Sequence, residues 1–309
     1  MNRSMITCAM SLAMTACLWC QGSEEPDEEE QRSLADGWND SLWVSPDGNM
    51  ALFMYSRYNF FPVLLGKGEP ALRGVDRPGH HNNEVNVWED SDLYIVIRGA
   101  NGKRSEPINM PTNDGGGDCC AMIAGSDMYF QKGTDLYRAS YQNEKWTSAE
   151  RLPVNSPKID SNPNNDWTTQ TLYWASDRGG NMDIWCSRRD EVNGDEVWSA
   201  PKPVAGSLNT AAKEDQPFVV GDTMRFSRAG ESGNVLSKRD KDGAWSRGEA
   251  ENLGTDLYHS EVSMSHDGKK IWFVAGYITT ERLVFMQSER KPNGGWGPAK
   301  PFALEPGGD

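Results

Sequence analysis

Short runs of alternating apolar and polar residues, broken by Gly, Asn and Asp clusters, fill the chain from Trp38 to Leu304. Thr171-Leu-Tyr-Trp-Ala-Ser, Asp183-Ile-Trp-Cys-Ser-Arg and Ile271-Trp-Phe-Val-Ala are representative. A period of two predicts strands, and the clusters predict the turns between them. Beyond Ala16 no stretch has a helical period, which excludes a helical solenoid.

The strands recur in units. Trp146-Thr-Ser-Ala-Glu-Arg-Leu, Trp198-Ser-Ala-Pro-Lys-Pro-Val, Trp245-Ser-Arg-Gly-Glu-Ala-Glu-Asn-Leu and Trp296-Gly-Pro-Ala-Lys-Pro-Phe close successive copies. Their spacing of about 50 residues marks a repeat array. Five units are read: Trp38 to Met110, Gly117 to Val154, Asp160 to Val204, Glu214 to Leu253, and His259 to Leu304. Units two to five each hold four short strands. The first is interrupted by a long insertion, Phe60 to Asn86. The predicted fold is all-β: one β-propeller of about five four-stranded blades, occupying residues 37–309.

Several segments carry a specific resemblance. Val44-Ser45-Pro46-Asp47-Gly48 and Ser265-His266-Asp267-Gly268 resemble the Ser-Pro-Asp-Gly hairpin of TolB-type, WD-like propeller repeats. Ser176-Asp177-Arg178-Gly179-Gly180 through Trp185 resembles that family's loop and third strand. Leu208-Asn209-Thr210 with Glu214-Asp215-Gln-Pro217 resembles its blade junction. Asp-Gly suits a tight turn that needs a positive φ. The second unit departs from the pattern, with Gly125-Ser126-Asp127 at its turn.

Residues 1–16 read as an export signal: Arg3, then a short stretch of apolar and small residues, too short to span a bilayer. Met14-Thr15-Ala16-Cys17 resembles the bacterial lipobox, which implies lipidation at Cys17 and a place in the cell envelope, periplasmic or anchored to the outer membrane. Residues 17–36 then form an acidic, disordered tether. Any membrane attachment is expected only through that lipid. Net charge is −14, to which Glu24-Glu25-Pro26-Asp27-Glu28-Glu29-Glu30 contributes, and no basic stripe offsets it. Nucleic acid is excluded as a partner on that ground. Cys119 and Cys120 read as small buried hydrophobes, with a bridge from one of them to Cys186 left open.

A propeller gathers the first residues of its inner strands around one channel. Here these are Asn39-Asp40, Asp118, Asp160 with Asn162, Glu214-Asp215, and His259 with Glu261. Three roles are open to them. The acids can bind backbone N–H groups and define the repeat. They can catalyse, as in five-bladed propellers that hydrolyse furanose or arabinan polymers. Asp40 would then be the base, Glu214 the acid, and Asp118 or Asp160 the modulator. They can also hold a cation, although no dense Asp-x-Asp loop favours one. His80 and His81, in the insertion, are candidates to touch a ligand at the channel mouth, because loops on rigid scaffolds carry function. Adjacent histidines rarely converge on one ion, so no metal and no cofactor is expected. No phosphate loop, dinucleotide fingerprint or local Ser-His-Asp motif is present. The expected function is an envelope binding or scaffolding module for a protein or glycan partner. A glycoside hydrolase is the alternative.

Overall fold

The structure, a computed structural model, describes residues 37–277 and 281–304. The expected signal, tether and Cys17 lie outside the described residues. Among the described residues no helix is long and apolar enough to cross a membrane.

Among the described residues, five antiparallel sheets of four or five strands form the blades, each taking its strands in chain order. Their inner strands are Trp38–Val44, Asp118–Ala124, Asp160–Asp166, Glu214–Val220 and Tyr258–Met264. Each inner strand packs against the next, and the last returns to the first. That closed circuit makes a five-bladed β-propeller, as the repeat period predicts. Among the described residues every blade is a continuous run of chain, and no strand is exchanged where the ring closes.

The repeated motifs have local physical causes. In the first hairpin the Ser45 hydroxyl donates to Asp47 (2.5 Å) and accepts from Met50 N (2.9 Å). Gly48, at φ 75°, donates its N–H to Ser45 O. Ser265, Asp267 and Gly268 repeat the pattern in the fifth blade, with Lys270 N on the Ser265 hydroxyl. The small residue after each repeating Trp also has a task. Thr147, Ser199, Ser246 and Gly297 donate their N–H groups back to the third strand of their blade. Arg239 and Arg290 lie over the rings of Trp245 and Trp296, at 5.1 and 4.5 Å.

Apolar side chains pack between blades as well as within them. Leu42, Val44 and Phe53 of the first blade meet Trp272, Val274, Phe302 and Leu304 of the last. Val44 N donates to the Ser263 hydroxyl (3.0 Å) across the same seam, and His266 N to Pro46 O (2.9 Å). Burial of such surfaces stabilises the closed ring by roughly 25 cal/mol per Å².

The insertion connects the second and third strands of the first blade. It holds a one-turn helix, Phe61–Leu64, and a small hairpin of Tyr58–Asn59 with Ala71–Leu72. Phe60 and Phe61 pack on Trp38, Met54, Cys119 and Cys120. Trp88 stacks on Phe60 at 4.8 Å. Lys67 and Arg73 reach Glu281 in the fifth blade, at 3.0 and 2.9 Å. The insertion therefore bears on blades five, one and two at the end of the channel where the inner strands begin.

The bridge to Cys186 is not made. Cys186 sits in the third strand of the third blade, and Cys119 and Cys120 in the inner strand of the second. Neither forms a disulfide with it.

Candidate functional site at the channel

All five inner strands carry a β-bulge at the same place. Register slips between Asp40 and Trp43, Cys119 and Met122, Ser161 and Asn164, Asp215 and Phe218, and Ser260 and Ser263. Each bulge contains one residue in the left-handed region: Ser41 (58°), Cys120 (56°), Asn162 (50°), Gln216 (56°) and Glu261 (53°). A bulge breaks the alternation of side chains between faces. Neighbouring side chains here meet around the channel.

They are bonded to one another. The carboxyl groups of Asp40 and Glu261 are neighbours across the seam of blades one and five. Glu261 also accepts from Ser41 N (2.7 Å) and from Gln216 Nε2 (2.9 Å). Gln216 N donates to Asp215 (2.8 Å), and Asn162 Nδ2 donates to the same oxygen (2.8 Å). The Ser41 hydroxyl meets Cys120 Sγ at 3.5 Å. Trp38 Nε1 supports Asp40 at 3.2 Å. The contacts run from blade two through one, five and four to three.

The charges are damped to match. Burial raises Asp40, and burial with the neighbouring Asp40 carboxyl pushes Glu261 well up. Burial also pushes Asp215 up to about 7, against the donors Gln216 N and Asn162. Buried carboxyls without a cation favour their neutral form. Among the described residues no group of three His, Cys, Asp or Glu is placed to hold a metal ion.

The residue at the start of each inner strand has a different role. Asp160 accepts from Ser156 N (2.6 Å), the Ser156 hydroxyl and Trp174 Nε1, and pairs with Arg178. Glu214 accepts from Thr210 N (3.0 Å) and the Thr210 hydroxyl (2.7 Å), and pairs with Arg228 at 2.7 Å. Both are wholly buried. They clamp the junction that enters their own blade, rather than the neighbouring blade as their place in the repeat suggests. His259 lies in the equivalent place, and both its ring nitrogens face backbone carbonyls, Leu257 O and Glu251 O.

Asp118 is the exception. It has Asp114 four residues earlier, where Asp160 and Glu214 have a hydroxyl. Neither of its oxygens is hydrogen-bonded, and Lys132 Nζ stands 3.7 Å away and 2.8 Å from Asp114. Burial pushes Asp118 up to about 7, Lys132 opposes, and Asp114 adds to the rise.

Of the residues named from sequence, Asp40, Asn162, Asp215 and Glu261 converge on the channel. Asp118, Asp160, Glu214 and His259 turn toward the blade junctions. Ser41, Cys120 and Gln216 were missed. Aligning the units on Asn39, Asp118, Asp160, Glu214 and His259 puts these three in one column with Asn162 and Glu261.

The insertion histidines lie under their loop. His80 is wholly buried, its Nε2 3.0 Å from Asp90 and its Nδ1 3.5 Å from Asp92. It packs between Tyr55 and Tyr94. His81 is partly exposed and pairs with Asp92 at 3.1 Å. Arg57 completes the cluster on Asp90 at 2.6 Å. Two buried aspartates on the first blade thus draw both histidines down. His80 presents no side-chain surface to a ligand, contrary to the expectation for a mouth loop.

No protein-family model matches the chain. It is 31% identical over 80 residues to a fructan 1-exohydrolase of Bromus pictus, a match covering 25% of this chain and 13% of that protein. Similar solved structures include a putative TolB from Agrobacterium tumefaciens, at 12% identity and TM-score 0.46, covering 87% of this chain and 81% of that one. TolB from Acinetobacter baumannii matches at 13% and 0.45, covering 85% and 56%. A gluconolactonase from Xanthomonas campestris matches at 13% and 0.46, covering 82% and 87%. These names cover unlike functions, and the function of this chain rests on its own residues.

Proposed function

We propose that this chain is a non-catalytic binding and scaffolding propeller of the cell envelope, held there through Cys17 and the acidic tether. It presents the insertion and the surrounding channel mouth to a protein or glycan partner. One observation carries the reading: the channel carboxyls are bonded to neighbouring blades, Glu261 to Ser41 and Gln216, and Asp215 to Asn162. Hydrolysis needs an acid and a base on opposite sides of a substrate. Glu214, the acid that role would require, is paired with Arg228 and closed in by Thr210. The insertion supports a protein partner in particular. Leu72, Val75 and Val85 expose 58%, 54% and 100% of their surface there, on a segment pinned at both ends. Apolar side chains on a rigid rim are common in protein interfaces.

The test is capture from envelope extracts with wild type, Val85→Asp and Val192→Asp, the last altering an exposed valine of the third blade. A partner lost with Val85→Asp alone supports the reading. Equal capture by all three overturns the insertion as the docking face.

A second reading rests on the short likeness to a fructan exohydrolase. Under it the chain is a glycoside hydrolase that uses Asp40. Release of fructose from fructans, abolished by Asp40→Asn in a folded variant, would replace the scaffold reading.

A further inference from the structure

Adjacent residues on a regular strand point to opposite faces, which keeps their side chains apart. Cys119 and Cys120 do not obey that rule. Their sulfur atoms lie 3.1 Å apart, because the second-blade bulge sets Cys120 at φ 56° and folds both side chains to one side. The other four bulges show the same backbone, so the cysteine pair sits on scaffold geometry that exists without it. Cys120 Sγ reaches the Ser41 hydroxyl of the adjacent first blade at 3.5 Å, and both cysteines share a buried cluster with Phe60 and Phe61 of the insertion.

We propose that Cys119 and Cys120 form a redox-active dithiol that closes to a vicinal disulfide by exchange with a small disulfide such as glutathione disulfide. The Cys120 thiolate, on the channel side, attacks one sulfur of the incoming disulfide. A mixed disulfide forms on Cys120, and one small thiolate leaves. The Cys119 thiolate then attacks Cys120 Sγ, the mixed bond breaks, and a second small thiolate leaves. Two protein thiols are oxidised, one disulfide is reduced to two thiols, and the two protons pass to the departing thiolates.

Reach and reversibility follow from the placement. Bonding needs the sulfurs to approach by about 1 Å, to the usual separation of about 2.05 Å. Consecutive Cα atoms are about 3.8 Å apart, below the range of about 4.4–6.8 Å common for disulfides. A ring closed between neighbours is therefore strained, and strained disulfides are the easily reduced, regulatory kind. The compartment expected from residues 1–16 supplies the oxidising conditions.

The test uses the full chain in glutathione buffers of rising disulfide fraction. Samples are acid-quenched, unfolded and alkylated, and the peptide holding both cysteines is weighed. The expected result is a reversible passage from a doubly alkylated peptide to an unalkylated one lighter by two hydrogens. Folded Cys119→Ser should instead trap glutathione on Cys120. Double alkylation even at the highest disulfide fraction overturns the proposal. So does glutathione on wild-type cysteines without ring closure, or a cross-link to Cys186. If Cys119→Ser fails to fold, the wild-type titration alone decides.

Discussion

Glu261 of the last blade accepts the backbone N–H of Ser41 of the first at 2.7 Å, across the seam where the ring closes. Burial raises Glu261 and Asp40 and pushes Asp215 and Asp118 up to about 7, so four buried carboxyls favour the neutral form. Their folded pKa values lie above the unfolded values of about 4. They bind more protons folded than unfolded, so stability falls as pH rises from about 4 through 7. Below that window, Asp90, held down by His80 and Arg57 against its burial, loses its pairings. Thermal unfolding followed by circular dichroism should give the highest midpoint near pH 5 and a decline by pH 8. Asp215 and Asp118 alone set a loss on the order of 5 kcal/mol, or roughly ten degrees. A midpoint that rises steadily from pH 5 to 8 would show that these carboxyls are not held neutral by the fold.

Asp114 stands where the third and fourth blades have Ser156 and Thr210. Replacing it by Thr should restore a hydroxyl donor to Asp118 and remove a nearby negative charge. The expected gain at pH 8 is about 1–2 kcal/mol, with a shallower pH dependence between 5 and 8. Urea unfolding of Asp114→Thr at both pH values measures it, and an unchanged slope would show that Asp118 does not titrate there.

Glu214→Gln keeps the shape of the side chain but strips Arg228 of its buried counter-charge. The loss of one partner in such a pair costs about 3–5 kcal/mol. Asp160→Asn should behave alike through Arg178. Denaturant unfolding gives the values, and a neutral outcome for both would mean that these acids are not the junction clamps.

His80→Ala removes one buried link between the insertion and the first blade while leaving Arg57 on Asp90 and His81 on Asp92. The insertion should loosen, with the ring intact. Limited proteolysis should cut first between Leu65 and Val85, at several times the wild-type rate, with little change in circular dichroism. Lys67→Ala should have a much smaller effect, since exposed ion pairs contribute about 0–1 kcal/mol.

The period of the strands and the Trp and Ser-Pro-Asp-Gly motifs make the five blades legible, because each motif acts within its own unit. Channel chemistry is less so. Sequence reasoning names Asp40, Asp215, Asn162 and Glu261 beside Asp118, Asp160 and Glu214 without separating them. What separates them is the bulge, and its five members, a hydroxyl, a thiol, two amides and a carboxyl, have no one side-chain chemistry. The descent of His80 also depends on Asp90 and Asp92, ten or more residues away, which the sequence does not mark as partners.

The bulge has an evolutionary consequence. Backbone geometry alone aims Ser41, Cys120, Asn162, Gln216 and Glu261, at a conformational cost of about 1–2 kcal/mol for a side chain in the left-handed region. Each of the five positions can therefore exchange its residue without redesign of the blade behind it. The channel lining can diversify one blade at a time, and lineages with the same architecture can arrive at thiol, amide or carboxyl chemistry in the same place.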